Sequence, residues 1–109
     1  MLKRQPIRSK KLRESARGEQ CTLRLPGICS HDTDTVVLCH LRDLAPAGMG
    51  AKPDDLHAVY ACNACHDVID GRRHVGMTPD EIGKEEGRAL CETIRRMVDK
   101  SLLKVEGAK

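Results

Sequence analysis

Leu56-His57-Ala58-Val59-Tyr60-Ala61-Cys62-Asn63-Ala64-Cys65-His66 passes from a strand-like hexapeptide straight into a C-x2-C pair and a histidine. Leu56–Ala61 carries the apolar and aromatic residues that suit a short, half-covered strand. Beyond His66, DVID continues toward Gly71, where a short helix should stop. Upstream, Thr35–Leu41 (TVVLCHL) is β-branched and apolar, and its period of two sets Val36, Leu38 and His40 on one face. Between the two strands, Leu44–Pro53 holds two prolines and two glycines, the composition of a loop. The order is therefore strand, loop, strand, helix, with His40 at the end of the first strand and His66 near the start of the helix.

The cysteines explain how so small a chain can fold. It has 109 residues, 32% of them charged, and Tyr60 is its one aromatic residue, so apolar burial alone leaves little stability. Cys21 and Cys29 flank Pro26 and Gly27, a turn composition that brings their ends together. With Cys62 and Cys65 they make a C-x7-C and a C-x2-C pair separated by 32 residues, a donor set for one tetrahedral Zn2+. Such a four-thiolate site is closed and structural, so any reaction must occur elsewhere. C-x-x-C-H is also the attachment motif of c-type haem, but haem would leave Cys21 and Cys29 unexplained and calls for export, so no haem is expected. A thioredoxin-like redox pair would need a surrounding βαβ pattern.

Residues 1–18 carry seven Lys or Arg (Lys3, Arg4, Arg8, Lys10, Lys11, Arg13, Arg17) against Glu14, a net of +6. The remainder nets −3, so the positive field is concentrated in what reads as a flexible basic arm able to contact phosphates. A secretory signal needs an apolar run of roughly 7 to 15 residues. Met1–Gly18 offers none, and no later segment is long enough to cross a membrane, which points to a cytoplasmic chain. At the other end, Thr78-Pro79-Asp80-Glu81 is a helix start with a capping box, and the helix should run from about 79 to 103. Ile82, Leu90, Ile94, Met97, Val98 and Leu102 should form its packing face, with Cys91 a packing residue.

The hairpin can bring His40 and His66 together. In metal-dependent phosphodiester hydrolysis a neutral imidazole takes a proton from water while a divalent cation stabilises charge on the phosphate. Two histidines can divide these roles. Arg42 could hold a phosphate near the scissile position, and Arg72 and Arg73 could extend the contact surface.

VVLCHLRD, KPDDL and ACNACHDVIDGRRH resemble the prophage-borne YbcO-type nucleases, a branch of the HNH fold, over about Gly18–His74 and more weakly into the C-terminal helix. The resemblance implies a ββα unit in which His40 is the general base and His66 binds the catalytic metal. The central residue of the motif, usually Asn, has Asp55 as its nearest match, with Asp54 and His57 close enough to compete. Many HNH enzymes have an acidic or histidine metal ligand directly before the base, where this chain has Cys39. His74 could supply the missing ligand if the chain stays helical past Gly71, as could Asp70, one turn after His66.

The expected architecture is α+β. The basic arm at 1–18 precedes one zinc-stapled, HNH-like ββα-metal domain over 19–109, with the ββα unit at about 35–75 and a packed C-terminal helix. The expected activity is endonucleolytic hydrolysis of DNA, with RNA left open, using Mg2+, Mn2+ or Ni2+ as the catalytic cation. The alternative is a zinc-stapled nucleic-acid-binding or adaptor module of the same fold without catalysis. Nothing in these patterns bears on oligomeric state.

Overall fold

The computed structural model describes residues 6–42 and 53–108. Its elements are α1 (Lys10–Glu14), a 3-10 turn (Thr33–Thr35), β1 (Val37–His40), β2 (Ala58–Ala61), α2 (Asn63–Ile69) and α3 (Pro79–Asp99). The loop expected over Leu44–Pro53 lies, except for Pro53, outside the described residues.

β1 and β2 form an antiparallel pair with Val37 opposite Ala61 and His40 opposite Ala58. β1 is shorter than the TVVLCHL pattern suggests because Asp32 caps the 3-10 turn, its carboxylate accepting from the Asp34 amide at 3.0 Å. β2 is buried along its whole length. At its outer edge the Tyr60 carbonyl accepts from the Thr22 amide at 2.8 Å and the Thr22 hydroxyl at 2.9 Å. The Tyr60 amide meets the Thr93 hydroxyl at 3.3 Å, and the two threonine hydroxyls lie 2.9 Å apart. A segment and a helix thus satisfy the backbone groups that a third strand would otherwise pair.

Both major helices end as left-handed caps. In α2, Gly71 takes φ +77, its amide donating to Val68 and the Arg72 amide to Asp67, at 3.1 and 2.9 Å. In α3 the equivalent position is Ser101 at φ +62, with amides 101 and 102 donating to Val98 and Met97, each at 2.9 Å. This stop ends α3 at Asp99, short of residue 103. The capping box is present, with the Glu81 amide donating to the Thr78 hydroxyl at 3.2 Å and the Thr78 amide to the Glu81 carboxylate at 2.9 Å.

The inward face of α3 keeps Ile82, Leu90 and Met97 of the expected set, with Leu102 packed just past its end, but is centred differently. Glu86, Ala89, Thr93 and Met97 are buried, whereas Ile94 is 40% exposed and Cys91 is exposed, so neither serves as core packing. The face turned because Thr93 is needed at the β2 edge. Arg24 and Glu92 form a bidentate ion pair at 2.8 and 2.7 Å that holds the same orientation from outside.

Residues 6–18 pack against the rest of the domain. Ser9 caps α1, accepting from the Leu12 amide at 3.2 Å, and Leu12 and Ala16, four apart, enter the core. The Ser15 hydroxyl lies 2.8 Å from the buried Tyr60 hydroxyl, and Lys100 donates to the Ser15 carbonyl at 2.9 Å. The segment before α1 runs alongside residues 53–55, the Ile7 amide donating to the Asp54 carboxylate at 2.6 Å and the Ile7 carbonyl accepting from the Asp55 amide at 2.9 Å. Basic character and docking coexist because the charges point outward while two apolar residues anchor the segment.

Candidate active site and metal centre

Each Sγ of Cys21, Cys29, Cys62 and Cys65 lies within 4.8 Å of the other three, with Cys29 and Cys62 at 3.8 Å. Two sulfurs bound about 2.3 Å from one tetrahedral ion stand roughly 3.8 Å apart, so the arrangement fits a metal ion. Local chain geometry builds it. Arg24, at φ +42, turns its amide onto the Cys21 sulfur at 3.4 Å, and Gly27 at φ +70 lets residues 25–29 fold back, the Cys29 amide donating to Leu25 at 3.0 Å. Cys65 stands in the first turn of α2, brought beside Cys62 by the helix.

The thiols behave as a crowded donor set that lacks charge balance on its own. A hydrogen bond from Cys65 pulls Cys21 down to about 4, while the same contact and burial push Cys65 strongly up. Burial raises Cys29 to about 11. For Cys62 burial also acts upward, but hydrogen bonds from Ser30 and the Cys65 amide outweigh it and its acidity is enhanced. Four sulfurs this close ionise together only if a cation sits among them.

At the other end of the hairpin, His40 Nε2 lies 2.8 Å from Asp55 Oδ1. Asp55 is buried and receives more than the imidazole: the Ser9 amide donates to Oδ2 at 2.7 Å and Arg13 at 3.1 Å, with Arg8 at 3.8 Å from Oδ1. Burial opposes its ionisation most, yet the Ser9 amide, His40 and Arg13 together hold its pKa below the usual carboxylate value. An ionised Asp55 fixes the proton on Nε2 and leaves Nδ1 as the basic nitrogen of His40. Of the three residues competing for the central position, Asp55 is the one that meets His40. Asp54 accepts from the Ile7 amide, and His57 Nδ1 stays 4.0 Å from Asp54.

His40 opens onto a cleft of about 410 Å³ lined also by Arg42, His66, Asp70, Arg72 and strand residues Val37 and Leu38. His66 Nε2 and Asp70 Oδ2 are 3.2 Å apart, one helical turn separating them, and Arg72 reaches Asp70 at 3.4 Å. Arg73 and His74 are exposed and line neither this cleft nor the recess beside it. The condition for His74 fails because α2 ends at Ile69 and Gly71 reverses the chain; Asp70 takes the place one turn after His66. Cys39 faces the core, fully buried, and burial with the nearby Asp70 and Glu86 carboxylates pushes its thiol up to about 12.

Sequence reading missed Glu86. It is 2% exposed and lines a recess of about 100 Å³ with His40, Arg42, Ile69 and Asp70. Its signal was available, since Ile82, Glu86, Ala89, Thr93 and Met97 recur at helical spacing and place one carboxylate on the inward face.

The family model described as "Putative nuclease YbcO" matches residues 10–100. A curated relative of that name from Escherichia coli (strain K12) is 51% identical over 63 residues, which cover 58% of this chain and 66% of the relative. A "Putative nuclease ybcO" from Enterobacteria phage 82 matches with the same identity and coverage, so the aligned part is just under two thirds of each relative's length. A solved structure of "a putative bacteriophage protein from Escherichia coli str. K-12 substr. MG1655" superposes with a TM-score of 0.69 at 32% identity, covering 84% of this chain and 100% of that one. Among the described residues no helix is long and apolar enough to cross a membrane. The family match covers most of the chain and includes every element that builds the cysteine cluster and the histidine cleft; the chain belongs to the YbcO nuclease family.

Proposed function

We propose that this chain is a metal-dependent endonuclease of the HNH, ββα-metal type that hydrolyses phosphodiester bonds in DNA, with Zn2+ held by Cys21, Cys29, Cys62 and Cys65. One observation carries the reading: His40, oriented by Asp55 at 2.8 Å, opens onto the same cleft as the His66–Asp70 pair. Nδ1 of His40 takes a proton from the attacking water, whose oxygen bonds to phosphorus as one ester P–O bond breaks. Asp55 holds the imidazole in that tautomer and offsets its positive charge once protonated. Arg42 and Arg72 line the cleft as donors to the phosphate oxygens. His66 and Asp70 would hold the catalytic cation; their 3.2 Å separation suits adjacent positions on an octahedral ion with about 2.1 Å bonds. Mg2+, Mn2+ or Ni2+ there would neutralise charge on the phosphate and the leaving oxygen.

The second reading, a binding module without catalysis, is favoured by Cys39. Its buried thiol stands where many HNH enzymes carry a further ligand, so the cleft offers a cation fewer protein donors. His40→Ala separates the two. In a nuclease it abolishes cation-dependent nicking of supercoiled plasmid while DNA retardation persists. If no added cation supports nicking by the wild type although DNA is still bound, the catalytic reading falls and the binding module stands. The same assay on an RNA of matched length decides between the two substrates.

A further inference from the structure

We infer that the groove between α1 and β1 is a docking surface for a nucleic-acid backbone, and that it extends the His40 cleft into one continuous phosphate track. The proposal deepens the nuclease reading and rests on it. The groove has a volume of about 450 Å³; Lys10, Arg13, Glu14 and Arg17 form one wall and residues 36–38 the other. Val37 and Leu38 also line the cleft that holds His40, Arg42 and Arg72, so the two depressions meet along the exposed side of β1. Lys10, Lys11 and Arg17 are exposed, and Lys10 has only a loose pairing with Glu14 at 3.8 Å. Docking of residues 6–18 by Leu12 and Ala16 fixes these charges in place, which lowers the ordering cost that a flexible tail would carry on binding.

The chemistry of the surface selects its partner. Tyr60 is the one Phe, Tyr or Trp in the chain and is fully buried, so no large aromatic ring is offered to unpaired bases. The groove offers positive charge on one wall and aliphatic strand residues on the other, which matches the dense, regular phosphates of a duplex better than the splayed bases of an unpaired strand. Arg13 differs from its neighbours because it also donates to Asp55. Lys10 and Arg17 are therefore the residues to alter.

The test uses full-length, zinc-loaded protein with no other divalent cation, and reads the affinity for a fluorescent 24-base-pair duplex against NaCl concentration. Lys10→Gln with Arg17→Gln should weaken binding about tenfold or more at low salt. It should also reduce the slope of log affinity against log salt by about 1.8, since each lost phosphate contact contributes about 0.9. A matched pair, Arg95→Gln with Lys104→Gln, removes the same charge among residues lining neither groove and should leave the slope unchanged. The proposal is overturned if the two pairs reduce the slope equally, if the Lys10/Arg17 pair leaves it unaltered, or if wild-type protein binds the single strand more tightly than the duplex. Cleavage is not needed for the readout, so failure here leaves the His40 test standing, and absence of cleavage leaves this surface standing.

Discussion

The cysteine cluster and the histidine cleft sit at opposite ends of one short hairpin and are built on opposite principles. In the cluster four like donors converge within 4.8 Å and the chain supplies every ligand. In the cleft, two donors stand 3.2 Å apart beside two arginines and an oriented imidazole, with room left for something from outside. A closed four-thiolate set suits a structural ion, whereas the open cleft has room in which a ligand could exchange. Separation of stability from chemistry is the physical content of that contrast, and each prediction below either breaks it or sharpens it.

Removing the metal from the cysteines should have the largest effect. Apparent binding free energies of structural zinc are about 10–16 kcal/mol, comparable to or larger than the whole stability of a small domain, about 5–15 kcal/mol. Strong chelation, or Cys62→Ala, should therefore abolish cooperative unfolding by circular dichroism. A retained sharp transition would show that the core of Tyr60, Leu23, Leu25 and Leu41 suffices alone.

Asp55 ties the cleft to the rest of the fold, because its carboxylate serves both His40 and the docked N-terminal segment. Asp55→Ala leaves the Ser9 amide, Arg13 and His40 without their acceptor and should cost about 2–3 kcal/mol in urea unfolding. The sign with pH follows from its lowered pKa in the folded state. Its contribution is fully present above the unfolded value of about 3.9 and disappears as pH falls through the lower folded value. Wild type and variant should thus converge in stability only in that acid window; a constant difference across it would remove Asp55 from the ionised network.

Smaller effects should come from the helix ends. Gly71→Ala meets no atom within 4 Å, so its cost is the left-handed backbone alone, about 1–2 kcal/mol. Because Gly71 follows Asp70, the variant should also weaken cation binding in the cleft while leaving the cysteine metal in place. Thr78→Ala, which removes a cap on α3 far along the chain from either site, should cost about 1 kcal/mol and leave cleavage unaltered.

These effects also mark how much the sequence disclosed. The cysteine spacing, the strand–strand–helix order, the stop at Gly71 and the capping box at Thr78 are local signals, and each is present in the structure. Docking of residues 6–18 was hidden because only Leu12 and Ala16 betray it among five basic residues, and its partners Asp54 and Asp55 lie more than forty residues away. The choice among Asp54, Asp55 and His57 depended on the register of the hairpin, which fixes which side chain meets His40. Glu86 was passed over because a carboxylate inside an apolar stripe reads as an interruption until the neighbouring histidine is seen.

The central claim is that the cleft, not the cysteine cluster, carries the chemistry. Its most direct test is nicking of supercoiled plasmid by zinc-loaded protein across a titration of Mn2+, for wild type and His66→Ala. The account predicts no nicking without added Mn2+ and a requirement at least tenfold higher in the variant, in keeping with the loss of one of two protein donors. Nicking by the zinc-loaded protein alone, or an identical Mn2+ dependence in both proteins, would contradict it.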